Sequence, residues 1–455
     1  MRVTALRPFI GRFLPAGGVL LSVLLFGSYV MGLLRDRTFA RTFGAGAELD
    51  AYNAAFVLPE LLLDVLVEAG LAAPFIPIFL RLRAIEDGGE ADRFARTILS
   101  GAITVMGVAA VLMFVFAEAT TGLIAPGFAD DPAQRELYVS LFRVMLVTPI
   151  LFAASLTLGQ VMLAEQRFFW YGIAPLLYNG GIILGTLTLS GSMGIYGPAV
   201  GAVIGAVLHL GSRFIGLRKS TFRIGLGWRA RPDSLREFAR LMLPKMVSHP
   251  VEPMTFLFFT NVASGLAAGS VTVVSYARNF QSVPVSLIGV AFALAVFPAL
   301  STAHATGDRR GFLRLLGSQA LTIGVITTLG AIGLVVVGEL AIRVLLGGGA
   351  FGPDDVRRTA AVLGAFALSV PLESLSHLLS RAIYATRHTL LQVLASLAGL
   401  AVTVLATLAL LPAAGIVAIP LGFTVGQVAK VVLLALALAV RMRSFEPGES
   451  AADPA

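Results

Sequence analysis

The sequence predicts an all-α, polytopic membrane protein with about 12 transmembrane helices, arranged as two six-helix lobes around a central cleft. Three observations support this fold class: an apolar composition, a regular series of long apolar segments, and an internal repeat. Of the 455 residues, 57% are hydrophobic and only 13% are charged, whereas soluble domains carry about 25% charged residues. A chain this apolar cannot cover a soluble surface with polar groups, so we expect it to cross a membrane repeatedly.

Apolar segments of about 20 residues, the length needed to cross a bilayer, recur along the whole chain. The predicted spans are residues 14–34, 51–80, 96–117, 138–163, 168–190, 194–216, 238–264, 269–301, 314–346, 358–384, 389–411 and 413–440. Three arginines precede the first span, as in a signal peptide. That span is long and lacks a small-residue cleavage site, so we interpret it as retained.

Basic residues concentrate in every second loop, and the positive-inside rule then places both termini in the cytoplasm. The net charge of +8 is therefore explained by membrane topology, and we expect no nucleic-acid partner. One basic cluster, Arg35, Arg37 and Arg41, falls on the opposite side. Either this cluster binds a ligand, or the neighbouring carboxylates of Asp36, Glu48 and Asp50 neutralise it. The sequence leaves both interpretations open.

The second half of the chain repeats the first at an offset of 221 residues. The segment GIYGPAVGAVIGAV begins at Gly194, and the similar segment GIVAIPLGFTVGQV begins at Gly415. Six spans in each half make the repeats parallel, related by a pseudo-two-fold axis along the membrane normal. We interpret Gly201 and Gly205 as close helix-packing positions. The predicted domains are an N-lobe (1–218), a basic cytoplasmic linker (219–235), a C-lobe (236–445) and a cytoplasmic tail (446–455).

Ionisable residues within the spans are costly to bury and are therefore candidate site residues. Glu60, Asp64 and Glu68 recur at every fourth position of the second span, so an α-helix would place them on one face. Such a stripe could be protonated, bind a cation, pair with a base, or line a water-filled vestibule. Glu252 lies between two prolines, where a broken helix could form an ion site or a simple kink.

Cationic candidates lie in the seventh and eighth spans. Arg278 lies about 15 Å of helix below the outer loop, at a depth similar to that of the acidic stripe. We expect Arg278 to face that stripe across the cleft, as a counter-ion or an anion-binding group. Lys245 either lines the cleft or extends to the inner surface. Glu373, His377 and Arg381 share one face of the tenth span, where we interpret the histidine as a packed polar residue.

The sequence lacks the motifs of nucleotide hydrolysis and of common hydrolases: G-x-x-x-x-G-K-[ST], H-E-x-x-H and G-x-S-x-G are all absent. It contains no cysteine, which excludes disulfides and thiolate chemistry. We therefore expect a transporter and not an enzyme, without a metal or cofactor, driven by an ion gradient or the membrane potential.

Stretches in both halves resemble the MurJ/MviN family of lipid II flippases, within the superfamily of multidrug, oligosaccharidyl-lipid and polysaccharide exporters. They are GLLRDRTFARTFGAGAELDAY and FVLPELLLDVLVEAGLAAPFIPIF in the first half, and LMLPK and YARNFQSVPVSLIGVAFALAVFPALS in the second. The resemblance covers essentially the whole chain. It implies an alternating-access flippase of the bacterial cytoplasmic membrane that moves an undecaprenyl-pyrophosphate-linked peptidoglycan precursor from the inner to the outer leaflet.

The resemblance also implies cationic residues around the pyrophosphate, and partners that include the lipid bilayer and the cell-wall synthesis machinery. The candidate substrate-binding residues are Arg35, Asp50, Lys245, Arg278 and Asn279. The candidate ion-coupling residues are Glu60, Asp64, Glu68 and Glu252. Family members often have two further C-terminal spans, so a groove built from those spans is expected to be absent here.

Three arginine positions of the family pattern differ in this chain. The first arginine of S-R-V-L-G-x-x-R-D is Tyr29, and the arginine expected near Leu63 is absent. The arginine of Y-A-x-R falls on Asn279, with Arg278 one position earlier, a shift that rotates a helical side chain by about 100°. A second hypothesis therefore stays open, an ion-gradient-driven exporter of another lipid-linked oligosaccharide or of cationic drugs. A non-transporting membrane scaffold is the third.

Overall fold

The computed structural model describes residues 16–85, 89–248 and 250–443, which form helices almost throughout. In chain order the α-helices are α1 (Ala16–Phe43), α2 (Ala47–Leu63), α3 (Ala69–Ile85), α4 (Gly89–Val115), α5 (Ala117–Ile124), α6 (Pro132–Met145), α7 (Val147–Ala164), α8 (Phe168–Met193), α9 (Tyr196–Leu217), α10 (Pro232–Ser248), α11 (Val251–Ser264), α12 (Ser270–Pro284), α13 (Ala291–Ala305), α14 (Arg309–Leu345), α15 (Pro353–Ala367), α16 (Val370–Ala385), α17 (Thr389–Ala414) and α18 (Ala418–Arg443). Two π-helices, Asp64–Glu68 and Val285–Val290, directly follow α2 and α12.

Each predicted span overlaps one helix or two consecutive helices of the described residues. Within those residues, eight helical stretches are long and apolar enough to cross a membrane, and there are up to nine if the α15–α16 pair, bent by 42°, is one span. One of the eight stretches, residues 389–443, contains both α17 and α18. The all-α, multi-pass fold class is therefore confirmed.

The described residues form two compact units, one up to residue 261 and the other from residue 262. Helix α10, which the sequence assigned to the C-lobe, packs against α3 of the first unit. Arg81 of α3 donates to the Glu237 carboxylate of α10 at 3.0 Å, and this hydrogen bond lowers the pKa of the Glu237 carboxyl below its ordinary value. The predicted boundaries of the lobes, linker and tail stay a prediction.

Aromatic side chains form much of the core in the first unit. Phe75 and Phe79 of α3 stack with their ring centroids 5.6 Å apart, and the Phe75 ring lies 5.5 Å from that of Phe94 in α4. Phe94 in turn meets Phe238 of α10 edge-on at 5.8 Å. These contacts hold α3, α4 and α10 together by close packing, the main attractive force between helices where lipid surrounds the protein.

The backbone repeats at the same offset as the sequence. The two π-helices begin at residues 64 and 285, which are 221 positions apart. Two non-glycine residues adopt positive φ, Gln166 at 57° and Arg387 at 62°, and these too are 221 apart. Gly194 (55°) and Gly415 (53°) follow the same rule. Positive φ is uncommon outside glycine, so its recurrence at matching positions supports the predicted internal repeat.

Glycines allow the backbones of α8 and α9 to touch. A Cβ added to Gly181 would lie 2.5 Å from the Cα of Gly205, and one added to Gly185 would lie 2.5 Å from the Cα of Gly201. Any side chain at these positions would force the two helices apart. The packing interpretation of Gly201 and Gly205 is confirmed.

Gly205→Leu should destabilise the first unit by about 1–3 kcal/mol, the usual cost of overpacking a core. Gly211→Leu on the same helix is the matched control, because no atom lies within 4 Å of a Cβ added there. Thermal unfolding of both purified variants in detergent measures the difference. Equal unfolding midpoints for the two variants would contradict the packing role of Gly205.

Candidate functional site

Arg35 of α1 is the cationic centre of a polar site in the first unit. Its guanidinium donates to Oδ1 of Asp36 at 2.9 and 3.1 Å, and to Oδ1 of Asn179 in α8 at 3.2 Å. Asn179 is oriented by a hydrogen bond from its Nδ2 to the carbonyl of Pro175 at 3.1 Å. The Arg35 side chain nevertheless remains 29% exposed. Arg35 is thus held between two helices while part of its surface stays accessible.

The pairing with Asp36 bears on the open question about the basic cluster. Asp36 offsets the charge of Arg35 locally, which agrees with the interpretation that neighbouring carboxylates neutralise the basic cluster. Both guanidinium nitrogens that reach Asp36 share a single carboxylate oxygen, so the pair does not use the two parallel bonds of a full bidentate contact. An incoming phosphate could therefore compete for these donors.

Asp50 lies in the first turn of α2, where the helix dipole favours a carboxylate. It is only 2% exposed. Nearby on the same helix, the Tyr52 ring meets Phe39 of α1 edge-on at 5.1 Å. This burial favours a structural role for Asp50 at the junction of α1 and α2, and direct substrate contact by Asp50 stays a prediction.

The acidic stripe runs from α2 into the first π-helix. Residues 64–68 form a π-helix, whose i→i+5 hydrogen bonds widen the turn. The backbone N–H of Asp64 still bonds to the carbonyl of Glu60, so these two acids keep the spacing of an α-helix. Glu60 is exposed and Asp64 is half-buried, while the side chain of Glu68 lies outside the described residues. The single face predicted for all three acids and their coupling role therefore stay predictions.

In the second unit, Arg278 of α12 pairs with Glu373 of α16. The two guanidinium nitrogens donate to the two carboxylate oxygens at 2.9 and 2.7 Å. Gln281 donates to Glu373 at 2.8 Å and to Ser369 at 3.1 Å, and the Arg278 guanidinium lies 5.2 Å from the centre of the Phe423 ring. The side chains of Arg278 and Glu373 are only 8% and 7% exposed.

This geometry gives Arg278 a different partner from the one expected. The sequence hypothesis paired it with the acidic stripe, whereas the structure provides a bidentate carboxylate within its own unit. The contact ties α12 to α16 about two turns before the second π-helix, which favours a structural role. Asn279, one residue later, is exposed, as the rotation of about 100° per residue requires.

The remaining candidates are only partly described. Helix α10 ends at Ser248 and α11 begins at Val251, and residue 249 between them lies outside the described residues. The choice between an ion site and a simple kink at these prolines stays open. Glu252 is exposed in the first turn of α11. The side chain of Lys245 lies outside the described residues, so its role stays a prediction.

Sequence reasoning missed a buried cation near the C-terminal end of α9. Arg213 is 2% exposed; its Nε donates to Ser155 Oγ at 3.1 Å, and its Nη1 donates to the carbonyls of Trp170 and Tyr171, both at 3.1 Å. The same Ser155 oxygen lies 2.7 Å from Nδ1 of His209. The available signal was the i, i+4 spacing of His209 and Arg213 on one helix. These contacts tie α7, α8 and α9 together.

Comparison with known proteins decides the family. The sequence model of the family described as "Lipid II flippase MurJ" matches residues 39–453. The chain belongs to the MurJ family. The "Probable lipid II flippase MurJ" of Rickettsia prowazekii (strain Madrid E) is 26% identical over 376 residues, which cover 82% of this chain and 73% of that protein. The resemblance read from the two halves of the sequence is confirmed.

Solved structures show the same fold. A structure described as "Lipid II flippase MurJ, inward closed conformation" has a TM-score of 0.78 at 24% identity, covering 92% of this chain and 87% of that one. An inward-facing multidrug resistance MATE family transporter has a TM-score of 0.80 at 13% identity, covering 95% of this chain and 100% of that one. As a MurJ family member, this chain is a multi-pass protein of the bacterial inner membrane, and a transporter rather than an enzyme.

Glu373→Gln should destabilise the second unit by about 3–5 kcal/mol, because it leaves the buried Arg278 cation without its carboxylate. Glu339→Gln is the matched control. Glu339 pairs with Arg343 at the surface of α14, where such pairs contribute no more than about 1 kcal/mol. Thermal unfolding in detergent compares the two variants.

The double variant Arg278→Gln/Glu373→Gln should recover part of the loss, since it removes both buried charges together. A Glu373→Gln variant that unfolds at the same temperature as Glu339→Gln would contradict the role given to the buried pair.

Proposed function

We propose that this protein moves lipid II from the inner to the outer leaflet of the bacterial cytoplasmic membrane by alternating access. The observation that carries the proposal is the match of the lipid II flippase family over residues 39–453. The repeated helical architecture supports it, because internal repeats with interrupted helices are the usual construction of transporters that expose one site alternately to each side. The substrate would be an undecaprenyl-pyrophosphate-linked glycolipid, taken directly from the bilayer.

Arg35 is the residue we propose for binding the pyrophosphate. A guanidinium matches phosphate oxygens with two parallel hydrogen bonds, and Arg35 is both anchored by Asn179 and 29% exposed. Asp36 would hold the guanidinium in place when no lipid is bound and yield one or more donors when the lipid arrives. Arg278, by contrast, is buried against Glu373, so we assign it no pyrophosphate contact.

Energy coupling is a separate proposal. We propose that the membrane potential or an ion gradient drives the transport cycle, with no cofactor. Asp64 is the residue we propose to respond to the potential or the gradient. Asp64 begins the first π-helix, and π-helical turns often occur at functional sites. Ionisable residues within membrane helices are functional candidates because their burial is costly.

Orientation and partners follow from the same proposal. The positive-inside rule favours both termini in the cytoplasm. The enzymes of cell-wall synthesis would then receive the lipid on the outer face of the membrane.

Expression of this protein in bacteria depleted of their own lipid II flippase should restore growth. Arg35→Ala should abolish rescue and lower lipid II translocation about 10- to 100-fold, the effect of losing hydrogen bonds to a charged group worth about 1.5–3 kcal/mol. Arg35→Lys should restore part of the rescue, because it keeps the charge but not the planar fork. Arg343→Ala, at an exposed position of α14, is the control.

A wild-type protein that inserts into the membrane but neither rescues growth nor moves lipid II would overturn the proposed function. It would favour the second hypothesis, export of another lipid-linked oligosaccharide or of cationic drugs, which transport assays with those substrates would then test. Rescue that is insensitive to Arg35→Ala would keep the function and reject the assigned site.

Asp64→Asn should reduce the acceleration of translocation by an imposed membrane potential or pH gradient, because the variant removes the ionisable group. Asp233→Asn is the matched control, since the Asp233 side chain is 96% exposed at the start of α10. Translocation in proteoliposomes with and without each gradient measures the response. An Asp64→Asn protein with an unchanged response would exclude Asp64 from coupling.

A further inference from the structure

The segment 219–231, here called the strap, joins α9 to α10 as irregular chain and is attached along α4. Side chains of α4 accept hydrogen bonds from four of its backbone N–H groups. The donor–acceptor pairs are Arg223 N to Asp92 Oδ2 (3.2 Å), Gly227 N to Ser100 Oγ (2.9 Å), Ala230 N to Thr97 Oγ1 (3.1 Å) and Arg231 N to Glu90 Oε1 (3.0 Å). The predicted linker therefore contains a segment with a defined register on a membrane helix.

The inner side of the strap is anchored in the hydrophobic core. Phe222 is 3% exposed, and its ring meets that of Phe79 edge-on at 6.4 Å. Arg96 of α4 donates to the carbonyl of Arg223 at 2.8 Å. Because these contacts and the backbone hydrogen bonds set the register, they also decide which side chains point outward.

The outward side chains combine large apolar groups with positive charge. Leu226 is 68% exposed and Trp228 is 65% exposed. Arg223 and Arg229 beside them are also exposed. From residue 218 to residue 231 the sequence contains five basic residues and no acidic one. An exposed apolar patch of this kind marks an interaction site, and tryptophan beside arginine is typical of a membrane interface.

The position of Trp228 along α4 provides a second observation. The backbone N–H of Gly227 is bonded to Ser100, and Trp228 Cζ3 lies 3.9 Å from a Cβ added to Gly101. Both α4 residues lie within the predicted span 96–117, about 6 Å of helix beyond its start. The predicted span thus puts Trp228 near the level where lipid headgroups meet acyl chains, the depth at which tryptophan is enriched.

We propose that the strap is a binding surface for anionic phospholipid headgroups. Leu226 and Trp228 insert at the boundary of the acyl chains, and the exposed Arg223 and Arg229, with Lys219, contact the phosphates. Basic residues beside a membrane concentrate anionic lipids through a field that decays within a Debye length. The proposal depends on the geometry of the strap and not on the transported substrate, so it can fail or succeed independently of the flippase assignment.

Tryptophan fluorescence can test this surface, because the chain contains only two tryptophans, Trp170 and Trp228. The Trp170→Phe protein, reconstituted whole into bilayers of phosphatidylcholine and phosphatidylglycerol, reports on Trp228 alone. Two bilayers of identical composition carry bromine on the acyl chains of either the neutral or the anionic lipid. We expect quenching by the brominated anionic lipid to be about twofold stronger at equal mole fraction.

Arg223→Gln/Arg229→Gln should remove this difference while leaving quenching by the neutral lipid intact. Arg309→Gln/Arg310→Gln, at the exposed start of α14, is the matched control and should preserve the difference. If Trp170→Phe does not fold, the signal of Trp228→Phe subtracted from that of the unmodified chain isolates the same residue.

Two results would overturn the proposal. Equal quenching by the two brominated lipids would show contact with the bilayer without selection of anionic headgroups. The absence of quenching by either lipid would place Trp228 away from the membrane and assign the surface to a soluble partner instead.

Discussion

Inside a bilayer no water is available to solvate a charge or an unpaired polar group, so each one must find partners within the protein. The buried cations of this chain show two solutions. Arg278 receives a bidentate carboxylate from Glu373, which neutralises its charge. Arg213 instead receives two backbone carbonyls and a serine hydroxyl, which solvate the guanidinium with dipoles. In both cases the charge binds neighbouring helices together, because its partners come from different helices.

The same constraint separates a structural arginine from a candidate binding residue. Arg35 shares one oxygen of Asp36 and one of Asn179, and 29% of its side chain remains exposed. It has the anchoring that a binding group needs and retains access for a ligand. Arg278 has no comparable access, since only 8% of its side chain is exposed. The family resemblance places arginines near both positions, yet exposure distinguishes what each residue can do.

Interrupted helices recur at matching places in the two halves. The π-helices at residues 64–68 and 285–290 each follow a segment that contains proline. Proline removes a backbone donor and disfavours the regular hydrogen-bonding pattern, and a wider turn accommodates this locally. In the first half the interruption carries the ionisable Asp64, whereas in the second half it follows the Arg278–Glu373 pair. One inherited backbone feature thus has different side-chain chemistry in each repeat.

The sequence by itself determined the features that depend on local pattern: the positions of the membrane helices, the internal repeat, and the close packing at Gly201 and Gly205. Apolar length, repeated motifs and small residues each have a direct structural meaning within one helix or between adjacent ones. Only the tertiary structure decided the partner of Arg278, the burial of Arg213 and the register of the strap on α4. These depend on which helices meet and on how each is rotated, and periodicity along one helix contains no information about the neighbour that it faces.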